Sequence, residues 1–246
     1  MKKRKIDKKS TIYLSVIALL LLLVIGLAIC LVLKSGENKN QSDAERYYNN
    51  KVQAFATNNA NAAKGQIVFV GDSITDLYSL DSYYADLDRA CYNRGIGGDT
   101  TSGVINRLKV SIFDVEPSKI VLMIGTNDID GNVPNEKIIE NYRIILDEIR
   151  NNQPTVELYF MSVIPQNKDL ESYSELDVDK NNANILIVNE EIRKLCQEYG
   201  HTYIDLHAHL LDENGYLRKE CSDDGLHLNA GGFEIWTNLL KPYLEK

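Results

Sequence analysis

Cysteine is scarce in this chain, at four in 246 residues, which excludes a small scaffold stapled by disulfides. None of the four stands in a Cys-x-x-Cys or Cys/His ligand spacing, so no zinc ribbon or dithiol motif is present. Proline and glycine are also sparse, at 5 and 15, and 44% of residues are hydrophobic, so bulk disorder is excluded. Positive charge is missing from most of the chain. Residues 1–34 carry seven Lys/Arg against one Asp, whereas residues 35–246 carry 20 basic and 34 acidic residues, a local charge of −14. So acidic a surface is a poor match for a phosphate backbone, and nucleic acid is not expected as a partner.

One long apolar run stands out. Thr11 to Leu33 has 23 residues and no charge, enough to cross a hydrocarbon core of ~30 Å as a helix. Six Lys/Arg precede it within residues 1–10, and the positive-inside rule keeps that end in the cytoplasm. A cleaved signal peptide shares the basic start, but its apolar part is normally about 7–15 residues and ends at a small-residue site. The following KSGENKN offers no such site. The sequence therefore predicts a cytoplasmic tail (1–10), a single-pass signal-anchor helix (11–33), a linker (34–43) and an extracellular domain (44–246). Cys30 follows Ile29 rather than the small residue that lipidation needs, and reads as a small apolar residue. The three cysteines beyond it cannot all pair within one chain, and Cys91 and Cys196 lie in apolar stretches that suit buried thiols.

The remainder alternates between two periods. Val- and Ile-rich runs predict strands at 66–71, 91–96, 119–125, 156–164 and 202–206. Between them lie helical stretches at 44–58, 79–90, 101–114, 135–151, 183–199 and 229–245. Ile138, Tyr142, Ile145 and Ile149 share one face of the 135–151 helix, and Gly200 is a natural stop for the one before it. Five strands separated by helices predict βαβ units, a parallel sheet and one three-layer α/β domain. In such sheets chemistry sits at the carboxyl ends of the strands.

Four segments fall at those ends: Gly71-Asp72-Ser73, Gly95-Ile96-Gly97-Gly98-Asp99-Thr100, Gly125-Thr126-Asn127-Asp128, and Asp223-Asp224-Gly225-Leu226-His227. Any one of them alone is ordinary turn or capping chemistry. Together they hold the parts of acyl transfer: a nucleophile, a base, a group that orients the base, and donors for an oxyanion. Ser73 offers the hydroxyl and His227 an imidazole suited to neutral pH. Asp224 can hold the imidazole tautomer. The backbone N–H groups of Ser73 and Gly98 and the side-chain amide of Asn127 are the candidate oxyanion donors.

In GDSIT (71–75), NRGIGGDT (93–100), GTND (125–128) and DGLHL (224–228) the chain resembles the SGNH (GDSL-type) hydrolase family. Within that family it resembles the branch of platelet-activating-factor acetylhydrolase-like and carbohydrate O-acetyl esterases, and the resemblance spans about 44–246. It implies a flavodoxin-like α/β/α fold with a central five-stranded parallel sheet, and no cofactor or metal. It implies Ser73 as nucleophile, Asp224 and His227 as its partners, and Gly98 and Asn127 as oxyanion donors. Gly98 is preferred to Gly97 because it is the glycine that precedes Asp-Thr.

Other features carry less. Asp205, His207 and His209 would spread roughly 13 Å along a continued strand, too far to close on one ion without a sharp bend. His201, after Gly200, reads as solvated. Asp223 with Asp224 is a weak glycosidase pair, since neighbouring side chains usually point apart. Tyr78, Tyr83, Tyr84 and Trp236 could stack on sugars, although a core role is commoner for such residues. The expected activity is hydrolysis of short acyl esters, O-acetyl above all, on an extracellular glycan or small molecule. The competing readings are acyl transfer with the same residues, a lysophospholipase or lipase, and a non-catalytic surface glycan-binding module. Loops 74–84, 166–181 and 209–223 are mostly polar and are expected to shape the acyl pocket.

Overall fold

The computed structural model describes residues 20, 23–26, 42–170 and 176–245. Residues 1–47 and 48–246 form two compact units. Apart from residues 20 and 23–26, which are helical and exposed, the expected tail and membrane segment (1–33) lie outside the described residues, as does most of the linker. Among the described residues no helix is long and apolar enough to cross a membrane.

The sheet strands are β1 (Ile67–Gly71), β2 (Cys91–Gly95), β3 (Lys119–Met123), β4 (Glu157–Met161) and β5 (Thr202–Ile204). All pairs are parallel, in the order β2-β1-β3-β4-β5. The helices are α1 (Asp43–Asn59), α2 (Ser73–Asp76), α3 (Leu80–Tyr84), α4 (Thr101–Leu108), α5 (Thr126–Asp130), α6 (Asn135–Asn152), α7 (Val178–Tyr199), α8 (Leu206–Leu210) and α9 (Ala230–Leu244). A parallel sheet must be covered on both faces, and alternation along each strand supplies both. Val68, Val70, Ile120, Leu122, Leu158 and Phe160 enter one core with residues of α4, α6 and α7. Ile67, Phe69, Val121, Met123, Tyr159 and Met161 enter the other with residues of α2, α3, α8 and α9. This strand order reverses direction between β1 and β3, and such a switch point opens a crevice beyond the carboxyl ends.

The apolar stripe of α6 is buried as its spacing predicts: Ile138, Tyr142, Ile145 and Ile149 are fully enclosed. Several boundaries differ from expectation. The 79–90 helix shrinks to α3, in a stretch where among 80–90 only Leu80 and Tyr84 are buried. The 101–114 helix is α4 followed by a π-turn at Lys109–Phe113. Helix α7 starts five residues before the expected 183, where the Asp177 side chain accepts the Lys180 N–H. The last strand ends at Ile204 rather than 206, because Asp205 caps α8 by accepting the Ala208 N–H at 3.1 Å.

Candidate active site

Ser73 is the first residue of α2, directly beyond β1. Asp72 caps that helix by accepting the Ile74 N–H at 3.0 Å. His227 lies on the loop between a 3₁₀ turn at Lys219–Cys221 and α9, and its ring reaches Ser73 at the start of α2. His227 Nε2 stands 2.8 Å from Ser73 Oγ, and His227 Nδ1 stands 2.7 Å from Asp224 Oδ2. The other Asp224 oxygen accepts the N–H groups of Leu226 (2.9 Å) and His227 (2.8 Å). Burial alone would raise the Asp224 carboxyl. The hydrogen bonds from the His227 ring and these two amides outweigh it and hold the group below its ordinary range.

The loop that carries Gly98 permits a full count of its backbone donors. Gly97 N–H donates to Asp76 Oδ2 at 3.1 Å, and Asp99 N–H donates to the Ile96 carbonyl at 3.1 Å. Thr100 N–H donates to Asp99 Oδ1 at 2.9 Å, and Thr101 N–H donates to Asp128 Oδ2 at 2.8 Å. Gly98 N–H has no partner among the described residues, and neither has Ser73 N–H. Gly97 is therefore committed, and Gly98 is the residue of the pair with a donor to spare. Gly98 has φ of +76°, a conformation side chains resist, and a Cβ there would project into open space. Asn127 Nδ2 donates to the Asp99 carbonyl at 2.8 Å. One amide hydrogen is thus committed to orienting the group, and the second remains.

Residues that sequence reasoning missed hold these groups in place. Arg107 is buried and pairs with Asp99 at 2.7 Å, while its other nitrogens donate to the carbonyls of Arg94 (2.7 Å) and Gly71 (3.0 Å). The legible signal was an arginine on the buried stripe of α4, between Val104 and Leu108. Asp128 also accepts the Thr101 hydroxyl at 2.6 Å, joining the Gly98 loop to α5. Ser222 Oγ donates to Asp224 Oδ1 at 3.3 Å and accepts the Gly225 N–H at 2.9 Å. Asn167, beyond β4, donates its N–H to the Gly225 carbonyl at 2.9 Å, which ties the His227 loop to the sheet. Asp130 accepts from Gln166 (2.6 Å) and Asn181 (2.9 Å). Burial keeps its carboxyl above the ordinary range, against the pull of Gln166 and His227.

The weaker candidates fall elsewhere. Asp223 accepts from Asn229 Nδ2 at 3.1 Å while Asp224 serves His227, so the two carboxylates have separate partners. Asp205 is a helix cap, His207 is buried and His209 is exposed, so the three do not share a strand face. His201 is half-buried and its Nε2 is enclosed without a partner among the described residues, rather than solvated. Tyr78, Tyr84 and Trp236 are core residues packed with Phe69 and Phe233, which removes them as sugar platforms; Tyr83 alone of the four is half-buried. Cys196 is buried and Cys91 half-buried, and burial pushes both thiols up to about 12.

Asp72 is enclosed, its Oδ2 has no partner among the described residues, and burial pushes its carboxyl up to about 7. A raised carboxyl stabilises the fold fully below about pH 4, and that contribution is lost as pH rises through about 7. The slope is at most about 1.4 kcal/mol per pH unit. Asp72→Asn keeps an oxygen for the Ile74 cap and should remove this slope. Urea midpoints of both proteins at pH 4, 5.5 and 7 check it; parallel curves would show that Asp72 does not titrate in that window.

The chain has relatives of known family. Residues 69–235 match the GDSL-like Lipase/Acylhydrolase family. The chain is 26% identical over 177 residues to the platelet-activating factor acetylhydrolase IB subunit alpha2 of Homo sapiens, covering 68% of this chain and 70% of that protein. It is 31% identical over 139 residues to a multidomain esterase of Ruminococcus flavefaciens, which is 52% of this chain but 16% of that protein. A solved structure from Streptococcus pneumonia, described as a platelet activating factor, superposes with a TM-score of 0.76 at 27% identity, covering 87% of this chain and 99% of that one. With a family match across most of the folded region, on a sheet whose strand ends gather these groups, the chain belongs to the GDSL-like lipase/acylhydrolase family and is a carboxylic-ester hydrolase.

Proposed function

We propose that this enzyme removes short acyl groups, acetyl above all, from hydroxyls of a glycan outside the cell, through an acyl-enzyme on Ser73. The observation that carries the reading is the continuous relay Ser73 Oγ–His227 Nε2–Nδ1–Asp224, with contacts of 2.8 and 2.7 Å. His227 takes the Ser73 proton as the hydroxyl attacks the ester carbonyl, then returns it to the departing alcohol. Asp224 stays ionised, keeps the Nδ1 proton in place and stabilises the imidazolium. Charge that develops on the carbonyl oxygen is met by the N–H groups of Ser73 and Gly98 and by the Asn127 amide. Water then repeats the sequence on the acyl-enzyme and frees the acid.

The outward location rests on the basic tail and the uncharged 23-residue run, which together support a single-pass anchor. The preference for acetyl rests on the walls. The loops expected to shape the pocket, 166–181 and 209–223, are mostly polar in sequence. Each buried methylene contributes about 0.8 kcal/mol only where an apolar wall receives it. Acetyl esters should therefore be hydrolysed with kcat/KM at least about tenfold above octanoyl esters, ~1.4 kcal/mol in the transition state. A nitrophenyl ester series from two to eight carbons, with acetate release from acetylated oligosaccharides beside it, measures this. A steady rise with chain length would move the assignment to lipase or lysophospholipase.

A further inference from the structure

Asp76 is the last residue of the helix that Ser73 begins. Its Oδ2 accepts the Gly97 N–H at 3.1 Å, and Lys51 of α1 pairs with its Oδ1. The backbone around it is tightly seated on β2. Asn93 Nδ2 donates to the Thr75 carbonyl at 2.7 Å, and a Cβ on Gly95 would come within 2.2 Å of the Asp76 nitrogen. Both ends of the Asp76–Gly97 bond are therefore anchored, one on α2 and the other at the end of β2. Gly97 and Gly98 lack side chains that would restrict them, so within the turn only the Asp99 N–H to Ile96 carbonyl bond that closes it resists distortion. A charge-assisted bond from a fixed carboxylate adds a second restraint, one that ties the turn to α2.

We propose that Asp76 is a positioning residue for the oxyanion site. Its carboxylate holds the Gly97–Gly98 turn against the helix of the nucleophile, so the Ser73 and Gly98 N–H groups keep a fixed separation and direction. Donors aimed in advance cost no reorganisation when the oxyanion forms, which is where such sites gain their effect. Lys51 balances the carboxylate, so its charge does not oppose the negative charge developing nearby. The inference rests on the reading of Ser73 and Gly98 given above.

The test compares Asp76→Ala and Asp76→Asn with the parent chain, using nitrophenyl acetate turnover, inactivation by a serine-directed phosphonate, and amide exchange at Gly97. Asp76→Ala should lower kcat about 10- to 100-fold with KM within about twofold, slow phosphonate inactivation by a similar factor, and speed Gly97 exchange. Asp76→Asn keeps an oxygen for the Gly97 N–H and should recover kcat to within about threefold of the parent. If Asp76→Ala does not fold, Asp76→Ser serves in its place. The proposal is overturned if the Asn variant is as impaired as the Ala variant, if loss appears in KM and melting temperature rather than kcat, or if nothing changes. An active Ser73→Ala would instead overturn the nucleophile reading, so the two failures are distinguishable.

Discussion

Ser73→Ala should lower esterase kcat by roughly three to six orders of magnitude while the fold survives. The expectation follows from how the hydroxyl is built in. Ser73 is half-buried at the start of α2, and its Oγ meets His227 Nε2 at 2.8 Å. Removing one oxygen atom leaves the Asp72 cap and the α2 backbone bonds untouched, so melting should stay within a few degrees. His227→Ala should lose activity on a similar scale, and the double variant should be little worse than either, because the two groups act as one unit. Rates of nitrophenyl acetate hydrolysis for the three variants check this. Losses that multiplied in the double variant would mean that the hydroxyl and the imidazole work independently.

The second large effect concerns stability. Arg107 and Asp99 have side chains that are 1% and 2% exposed, and they pair at 2.7 Å. Truncating one member of such a pair leaves a buried carboxylate without its cation, which typically costs about 3–5 kcal/mol. Arg107→Met should therefore lower the unfolding free energy by about that amount, and Arg107→Lys by less. Lysine keeps the charge but cannot also reach the Arg94 and Gly71 carbonyls that the guanidinium fork serves. Activity should fall as well, since the Asp99 carbonyl orients Asn127. Denaturant unfolding of the three proteins gives the order, and an Arg107→Met variant as stable as the parent would contradict it.

The sheet was legible because strand burial is written in composition. β1 and, apart from Lys119 at its start, β3 are apolar on both faces, and every residue of each is buried. Ser73, His227 and Asp224 were legible as candidates because each follows a strand or lies on the closing loop, where turn chemistry alone does not require all of them together. The positioning residues were not. Asp76, Asp99, Arg107 and Asp128 are charged side chains in an acidic chain, and nothing in their spacing distinguishes a solvated carboxylate from one that holds a loop. The contacts by which they hold the loop run across 8 to 36 residues, set by how the strand ends meet. The short helices α2, α5 and α8 were equally hidden, since four or five residues give no periodicity. The choice of Gly98 over Gly97 gained its physical basis only from the occupied N–H of Gly97.

The central claim is that Ser73 is the atom donor that becomes acylated. It is tested most directly by treating the enzyme with a serine-directed phosphonate and mapping the modified peptide by mass spectrometry. The account predicts a single adduct, on Ser73, formed in step with loss of activity and absent from the Ser73→Ala protein. An adduct on another serine, with Ser73→Ala still hydrolysing nitrophenyl acetate at the parent rate, would contradict it.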